Sequence, residues 1–233
     1  NGFVIALGAL APGVTTGTPR TVLIVAIILT LAAIHVVGIR YGAASIYVFT
    51  FGKLMPLLGF IVVALTAWKT NPIPASLILP GTDAKWADAM LFMLFAYAGF
   101  ENLAAPAGEF KNPRRDLPLA LLVGTLAIAA IYSLVQLGAM PALTDLSETE
   151  TPVATAAAAL IGPVGGVIVT VGALLSMAGT NSGTVLEGSR MLYALALNRR
   201  TGPLSSIHPR FHTPALAIGI HAGFALALAL GGT

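Results

Sequence analysis

The chain is 233 residues long, 57% hydrophobic and only 9% charged, with a mean hydropathy of +0.89. Soluble domains carry about 25% charged residues, so the composition excludes an ordinary soluble domain and specifies a membrane protein. The basic balance, 12 Lys and Arg against 9 Asp and Glu, is too thin for a nucleic-acid surface, and the lack of cysteine excludes disulfides, thiolate metal sites and thiol catalysis.

Apolar runs near twenty residues long set the element pattern, and they predict an all-α integral membrane protein in a lipid bilayer. Residues 1–14 form a partial span closed by Pro12-Gly13; the chain therefore reads as a fragment of a longer protein. Further spans are expected at about 21–38, 45–68, 88–108, 117–140, 161–197 and 213–231, within one transmembrane domain over 1–233. The span 45–68 stops at Trp68-Lys69, an aromatic and a cation suited to a membrane surface. Residues 69–87, with Pro72, Pro74 and Pro80, read as a polar loop, and 141–152 as an acidic one. Pro118 suits the first turn of the span that it opens. The run 161–197 is too long for one crossing of a ~30 Å core at 1.5 Å per residue, so it bends near Gly179–Gly183 or extends beyond the membrane.

Lys and Arg give the orientation. Arg40, Lys111, Arg114, Arg115, Arg199, Arg200 and Arg210 fall on one side, against Arg20, Lys69 and Lys85 on the other. The positive-inside rule makes loops 39–44, 109–116 and 198–212 cytoplasmic, in the cell membrane.

The stretch that demands an explanation is Phe95-Ala-Tyr-Ala-Gly-Phe-Glu101. A carboxylate in hydrocarbon is costly, so Glu101 must face protein, water or a partner. Ala98-Gly99 beside it lets the helix open, which a membrane tolerates only where the backbone lines a cavity. Lys53 is the other interior charge: it either snorkels to the surface or exchanges a proton. Ser176, Thr180, Gly183, Thr184, Glu187 and Arg190 recur at helical spacing and form a polar face. His35 and His221 stand alone in apolar spans, where packing or interhelical hydrogen bonding is the commoner role. No His, Asp and Glu grouping has metal-ligand spacing, so neither metal nor cofactor is expected.

With these residues laid out, the chain resembles the amino acid–polyamine–organocation (APC) superfamily of permeases. The resemblance rests on Phe95-Ala-Tyr-Ala-Gly-Phe-Glu101 followed by Gly108-Glu-Phe-Lys-Asn-Pro-Arg-Arg-Asp-Leu-Pro118. It is extended by Gly38-Ile-Arg-Tyr-Gly-Ala with Lys53-Leu-Met-Pro-Leu, by Gly188-Ser-Arg-Met-Leu-Tyr-Ala-Leu-Ala, by His208-Pro-Arg-Phe and by Thr213-Pro-Ala. One departure is Asn198-Arg-Arg-Thr-Gly-Pro, where the family usually carries Ala-Arg-Asp-Gly-Leu-Pro.

The resemblance implies part of a five-plus-five inverted-repeat (APC/LeuT-like) fold, from the end of span three through span nine, with a broken helix near 98–99. It implies a secondary active amino-acid transporter, proton-coupled by symport or exchange, and not an enzyme. The substrate α-ammonium would sit on the carbonyls of Phe95, Ala96 and Ala98 beside Gly99. Phe95, Tyr97 or Phe100 would form an aromatic wall, Phe95 first among them. Lys53 and Glu101 would handle the proton, with Ser176 and Thr180 as contacts of the lysine. Two rivals come from other classes. One is a passive channel. The other is an intramembrane serine hydrolase built on Ser182 of Gly179-Thr-Asn-Ser-Gly183 with His221.

Overall fold

The structure, a computed structural model, describes residues 2–8, 10–67, 85–99, 110–142, 149, 151–199 and 202–231. Trp68, Lys69, the loop through Pro72–Pro80, Phe100 and Glu101 lie outside the described residues. Among those described, every regular element is helical: α1 (Gly2–Gly8), α2 (Gly17–Val37), α3 (Ile39–Ala67), α4 (Trp86–Tyr97), α5 (Pro113–Ala139), α6 (Pro152–Ile161), α7 (Pro163–Arg199) and α8 (Ala215–Gly231). Short 3-10 turns at Pro12–Val14, Met140–Ala142 and Gly202–Ser205 join them. The spans Gly17–Val37, Arg40–Ala67, Pro113–Ala142 and Pro163–Asn198 are long and apolar enough to cross a membrane. With the all-α architecture, they make this a multi-pass membrane protein.

Local chemistry explains several boundaries. α5 starts at Pro113, a residue whose missing N–H costs nothing at a first helical position. The Asn112 carbonyl accepts the N–H groups of Arg115 and Asp116 (3.1 and 2.8 Å), and the Asp116 carboxylate accepts the Asn112 N–H at 3.3 Å. The first turn thus takes in Arg114–Asp116, with Asp116 at the positive end of the helix dipole, and Pro118 lies inside the helix. α7 is one helix of 37 residues through Gly179–Gly183, longer than a single crossing needs. The ten residues of α6 were not expected as a helix. Ala-rich Thr155–Leu160 favours helix strongly, but it is too short and too uniform to stand out as a span.

By contacts the chain divides into two compact units, Asn1–Leu54 with Thr170–Thr233, and Met55–Val169; α3 and α7 each contribute to both. In the first unit, α2, α7 and α8 share a core of Ala32, Val185, Ile218 and Ala222, flanked by Ile28 and Val36. The hydroxyl of fully buried Thr213 donates to the Val36 carbonyl at 2.7 Å, satisfying one of the carbonyls that the end of α2 leaves open. In the second unit, Phe60, Ala64, Ala139, Ala156, Ala157 and Val169 form the core. Lipid offers no hydrophobic drive between helices, so small residues that let backbones approach closely carry the association.

Gly138 shows how tight that approach is: a β-carbon added there would stand 2.7 Å from the Ala64 Cβ and 3.4 Å from the Phe60 ring. Gly138→Val is expected to cost about 1–3 kcal/mol by overpacking. Gly124→Ala, with no atom within 4 Å of the new carbon, is expected to be neutral or stabilising by up to about 1 kcal/mol. Thermal unfolding of the purified protein in detergent checks both; equal midpoints for the two variants would contradict the packing.

Candidate functional site

The helix opening comes first. α4 reads Trp-Ala-Asp-Ala-Met-Leu-Phe-Met-Leu-Phe-Ala-Tyr, with Asp88 in its first turn. It stops at Tyr97. Ala98 is extended (φ −61°, ψ 147°) and donates its N–H to the Phe95 carbonyl at 3.3 Å. Gly99 follows at φ +107°, a region that L side chains avoid and glycine enters freely. The α-helix therefore ends at the residues that the sequence marked for a break.

The Tyr132 hydroxyl, on α5, donates to the Ala96 carbonyl at 3.3 Å, and its ring meets Tyr97 edge-on, centroids 5.5 Å apart at 67°. Tyr132 was missed in the sequence. Its signal was a phenol inside an apolar span, since a hydroxyl in hydrocarbon needs an acceptor. Of the aromatic residues expected to form a wall, Phe95 is 72% exposed, whereas Tyr97 is engaged with Tyr132. Phe100 and Glu101 are outside the described residues.

Lys53 sits on α3, half-buried, three residues before Pro56. Proline has no N–H, so the Gly52 carbonyl next to Lys53 gets no intrahelical partner from it. Around Lys53, α3 runs antiparallel to α7 in a close seam. Ser45 Oγ lies 3.1 Å from Ser182 Oγ. A β-carbon on Gly179 would stand 2.8 Å from Phe49 Cβ, and one on Gly52 2.7 Å from Leu175 Cδ1. This register brings Ser176 to the level of Lys53 and leaves Thr180 a turn away. Among the described residues Lys53 bonds to neither of them, and the exposed Thr180 hydroxyl turns back to the Ser176 carbonyl at 3.1 Å.

A buried polar chain closes the seam. His35 Nε2 lies 2.9 Å from Ser182 Oγ, Ser182 Oγ lies 3.1 Å from Ser45 Oγ, and Ser45 Oγ donates to the Gly42 carbonyl at 2.7 Å. Counting hydrogens fixes its direction. Ser45 spends its one hydrogen on Gly42, so Ser182 must donate to Ser45, and His35 must carry a hydrogen on Nε2 to donate to Ser182. That polarity opposes a hydrolytic dyad, in which a bare imidazole nitrogen accepts the serine proton. Ser182 is also fully buried, its partner is His35, and His221 instead packs its ring against Gly188. In the same unit, a cavity of about 180 Å³ has Asn181, Thr184 and His221 among otherwise apolar walls; none of the residues expected to hold substrate or proton lines it.

Four helices long and apolar enough to cross a membrane, with a shorter apolar helix that stops at Tyr97, define an integral membrane protein. Residues 1–232 match the amino acid permease family, and the chain belongs to it. It is similar to the serine/threonine exchanger SteT of Bacillus subtilis, 33% identical over 222 residues, covering 92% of this chain and 50% of the relative. It is similar also to the inner membrane transport protein YbaT of Escherichia coli (35% over 129 residues, 54% and 30% covered). A third relative is the vacuolar cationic amino acid transporter 2 of Arabidopsis thaliana (29% over 160 residues, 65% and 24%). The chain spans about half the length, or less, of these curated relatives.

The polar chain makes a prediction of its own. Ser182→Ala strands the His35 N–H in the core and is expected to cost about 1–3 kcal/mol. Adding His35→Leu removes the stranded donor and should recover part of that loss. Thermal unfolding of the single and double variants decides it; an additive or larger loss in the double variant would contradict the assigned direction.

Proposed function

We propose that the complete protein is a secondary active amino-acid transporter of the cell membrane, built on the five-plus-five inverted-repeat fold. The observation that carries this reading is the end of α4: a helix of an amino acid permease stopping at Tyr97, with Ala98 extended and Gly99 at φ +107°. Carbonyls at such a helix end suit an α-ammonium, which brings three donors and a positive charge. Phe95 forms the wall of the site, and Tyr132 holds the Ala96 carbonyl in place. Substrate binds this opening from either side of the membrane in turn, and differential binding to the two states does the coupling without covalent chemistry.

Lys53 carries the proton in this scheme. Half-buried beside the carbonyl freed by Pro56, and with no carboxylate partner among the described residues, its ammonium is suited to exchanging a proton as its surroundings change from wet to dry. Ser176, at its level on α7, is the nearer of its two proposed contacts, with Thr180 beyond; Glu101 holds the opened helix or assists the proton. Segments 39–44, 109–116 and 198–212 face the cytoplasm, although the structure makes 39–44 the start of α3, 113–116 the first turn of α5 and 198–199 the end of α7 rather than loop. The name of the Bacillus relative supports small hydroxyl-bearing amino acids as the first substrates to try, in exchange as well as in net uptake.

The test is uptake of labelled serine or threonine by the full-length protein in proteoliposomes, with and without a pH gradient. Saturable accumulation supports a carrier; large conductance without saturation would point to a channel. Lys53→Ala is expected to remove the stimulation by the gradient, and full retention of it would exclude Lys53 from coupling. Gly99→Ala forces an L side chain into a strained conformation that costs about 1–3 kcal/mol, so uptake should fall roughly tenfold. Unchanged uptake would remove the opening from the mechanism.

A further inference from the structure

Between the 3-10 turn Gly202–Ser205 and α8, the chain folds into a compact turn built on one imidazole. His208 Nδ1 accepts two backbone N–H groups, from Arg210 at 3.2 Å and Phe211 at 3.3 Å. The His208 N–H donates to the Thr213 carbonyl at 2.8 Å, and the His212 N–H to the His208 carbonyl at 2.9 Å. The His208 ring stacks on Phe211 (4.8 Å, 27°), and the Arg210 guanidinium lies 5.4 Å from the centre of the same Phe211 ring. His212 is held at φ +52°, the left-handed region. The turn delivers Thr213, fully buried, to the Val36 carbonyl at the end of α2.

Nδ1 can accept two N–H groups only while it carries no hydrogen, so the ring here is the neutral imidazole protonated at Nε2. We propose that this turn is an acid-operated latch: a proton arriving at His208 Nδ1 opens it and loosens the hold of Thr213 on the end of α2. The proton converts the shared acceptor into a donor aimed at two other donors. Stacking on Phe211 survives the change, so it opposes opening little; the added charge joins Arg210 over a single aromatic ring. Among the described residues of the turn and the elements flanking it, no carboxylate offsets it. The turn itself adds only Arg210 and His212, the last turn of α2 adds His35, and Gly202–Ser205 and the first turn of α8 add no titratable group. The bonds are thus present while the ring is neutral and are lost once Nδ1 takes a proton.

Latching goes beyond the transport reading and is tested apart from it, by amide hydrogen exchange on the full-length protein with intrinsic exchange corrected for pH. In the wild type, protection of the Arg210 and Phe211 amides is expected to fall about tenfold from pH 8 to pH 5.5. His208→Asn places an acceptor oxygen near the position of Nδ1 and takes up no proton in that range, so its protection should stay high at both pH values. His208→Ala lacks the acceptor and should be equally unprotected at both. Flat protection in the wild type, or a pH dependence that persists in either variant, overturns the latch.

Discussion

A helix that ends inside an apolar run leaves carbonyl oxygens that hydrocarbon cannot satisfy, and the structure around α4 answers to that constraint. An unmet carbonyl in a dry environment costs several kcal/mol, so each must find a donor from the protein, from water or from a ligand. Among the described residues the Ala98 N–H serves Phe95, and the Tyr132 hydroxyl serves Ala96. Each carbonyl oxygen has two lone pairs, so neither bond exhausts its acceptor. Under the proposed function, a backbone partly satisfied at rest that can accept more is what an exchangeable ammonium ligand requires. Gly99 makes this possible because no other residue takes φ +107° without strain.

The first unit contributes rigidity rather than openness. Along the seam of α3 and α7, glycines at 52 and 179 let the two helices touch, and the chain His35–Ser182–Ser45–Gly42 ties in α2. Each hydroxyl and the imidazole hydrogen is used once, so the network has one direction and no slack. A polar network completely satisfied in this way specifies a single register, whereas an apolar seam would tolerate sliding. Lys53 lies at the end of this seam, where Pro56 interrupts the backbone bonding of α3. A fixed register on one side and a weakened turn on the other give the lysine a defined place with room to change its contacts.

Much of this was legible before any coordinates. Apolar runs of membrane length announce themselves, because crossing hydrocarbon leaves the sequence no freedom to be polar. The end of α4 was legible for the same reason: glycine beside an acid in such a run has few structural excuses. Pairings between distant residues were not. Ser182 was matched with His221, on the next span, whereas its partner is His35, 147 positions away in sequence. Tyr132 was passed over because an aromatic residue in a span usually packs or sits at an interface, and only the fold shows where its hydroxyl points. Thr180 illustrates a third limit, since a threonine hydroxyl can serve a ligand or return to its own helix, and here it returns to Ser176. α6 escaped notice because ten alanine-rich residues are neither a span nor an amphipathic surface helix.

The central claim is that the non-helical backbone at Phe95–Gly99 receives the substrate amine, and a structure of the full-length protein with a bound amino acid tests it most directly. The account predicts the ammonium nitrogen about 2.7–3.2 Å from carbonyl oxygens of this stretch, with the chain still departing from α-helix at Ala98. An amino acid held elsewhere, with residues 95–101 wound into uninterrupted helix beside it, would contradict the account.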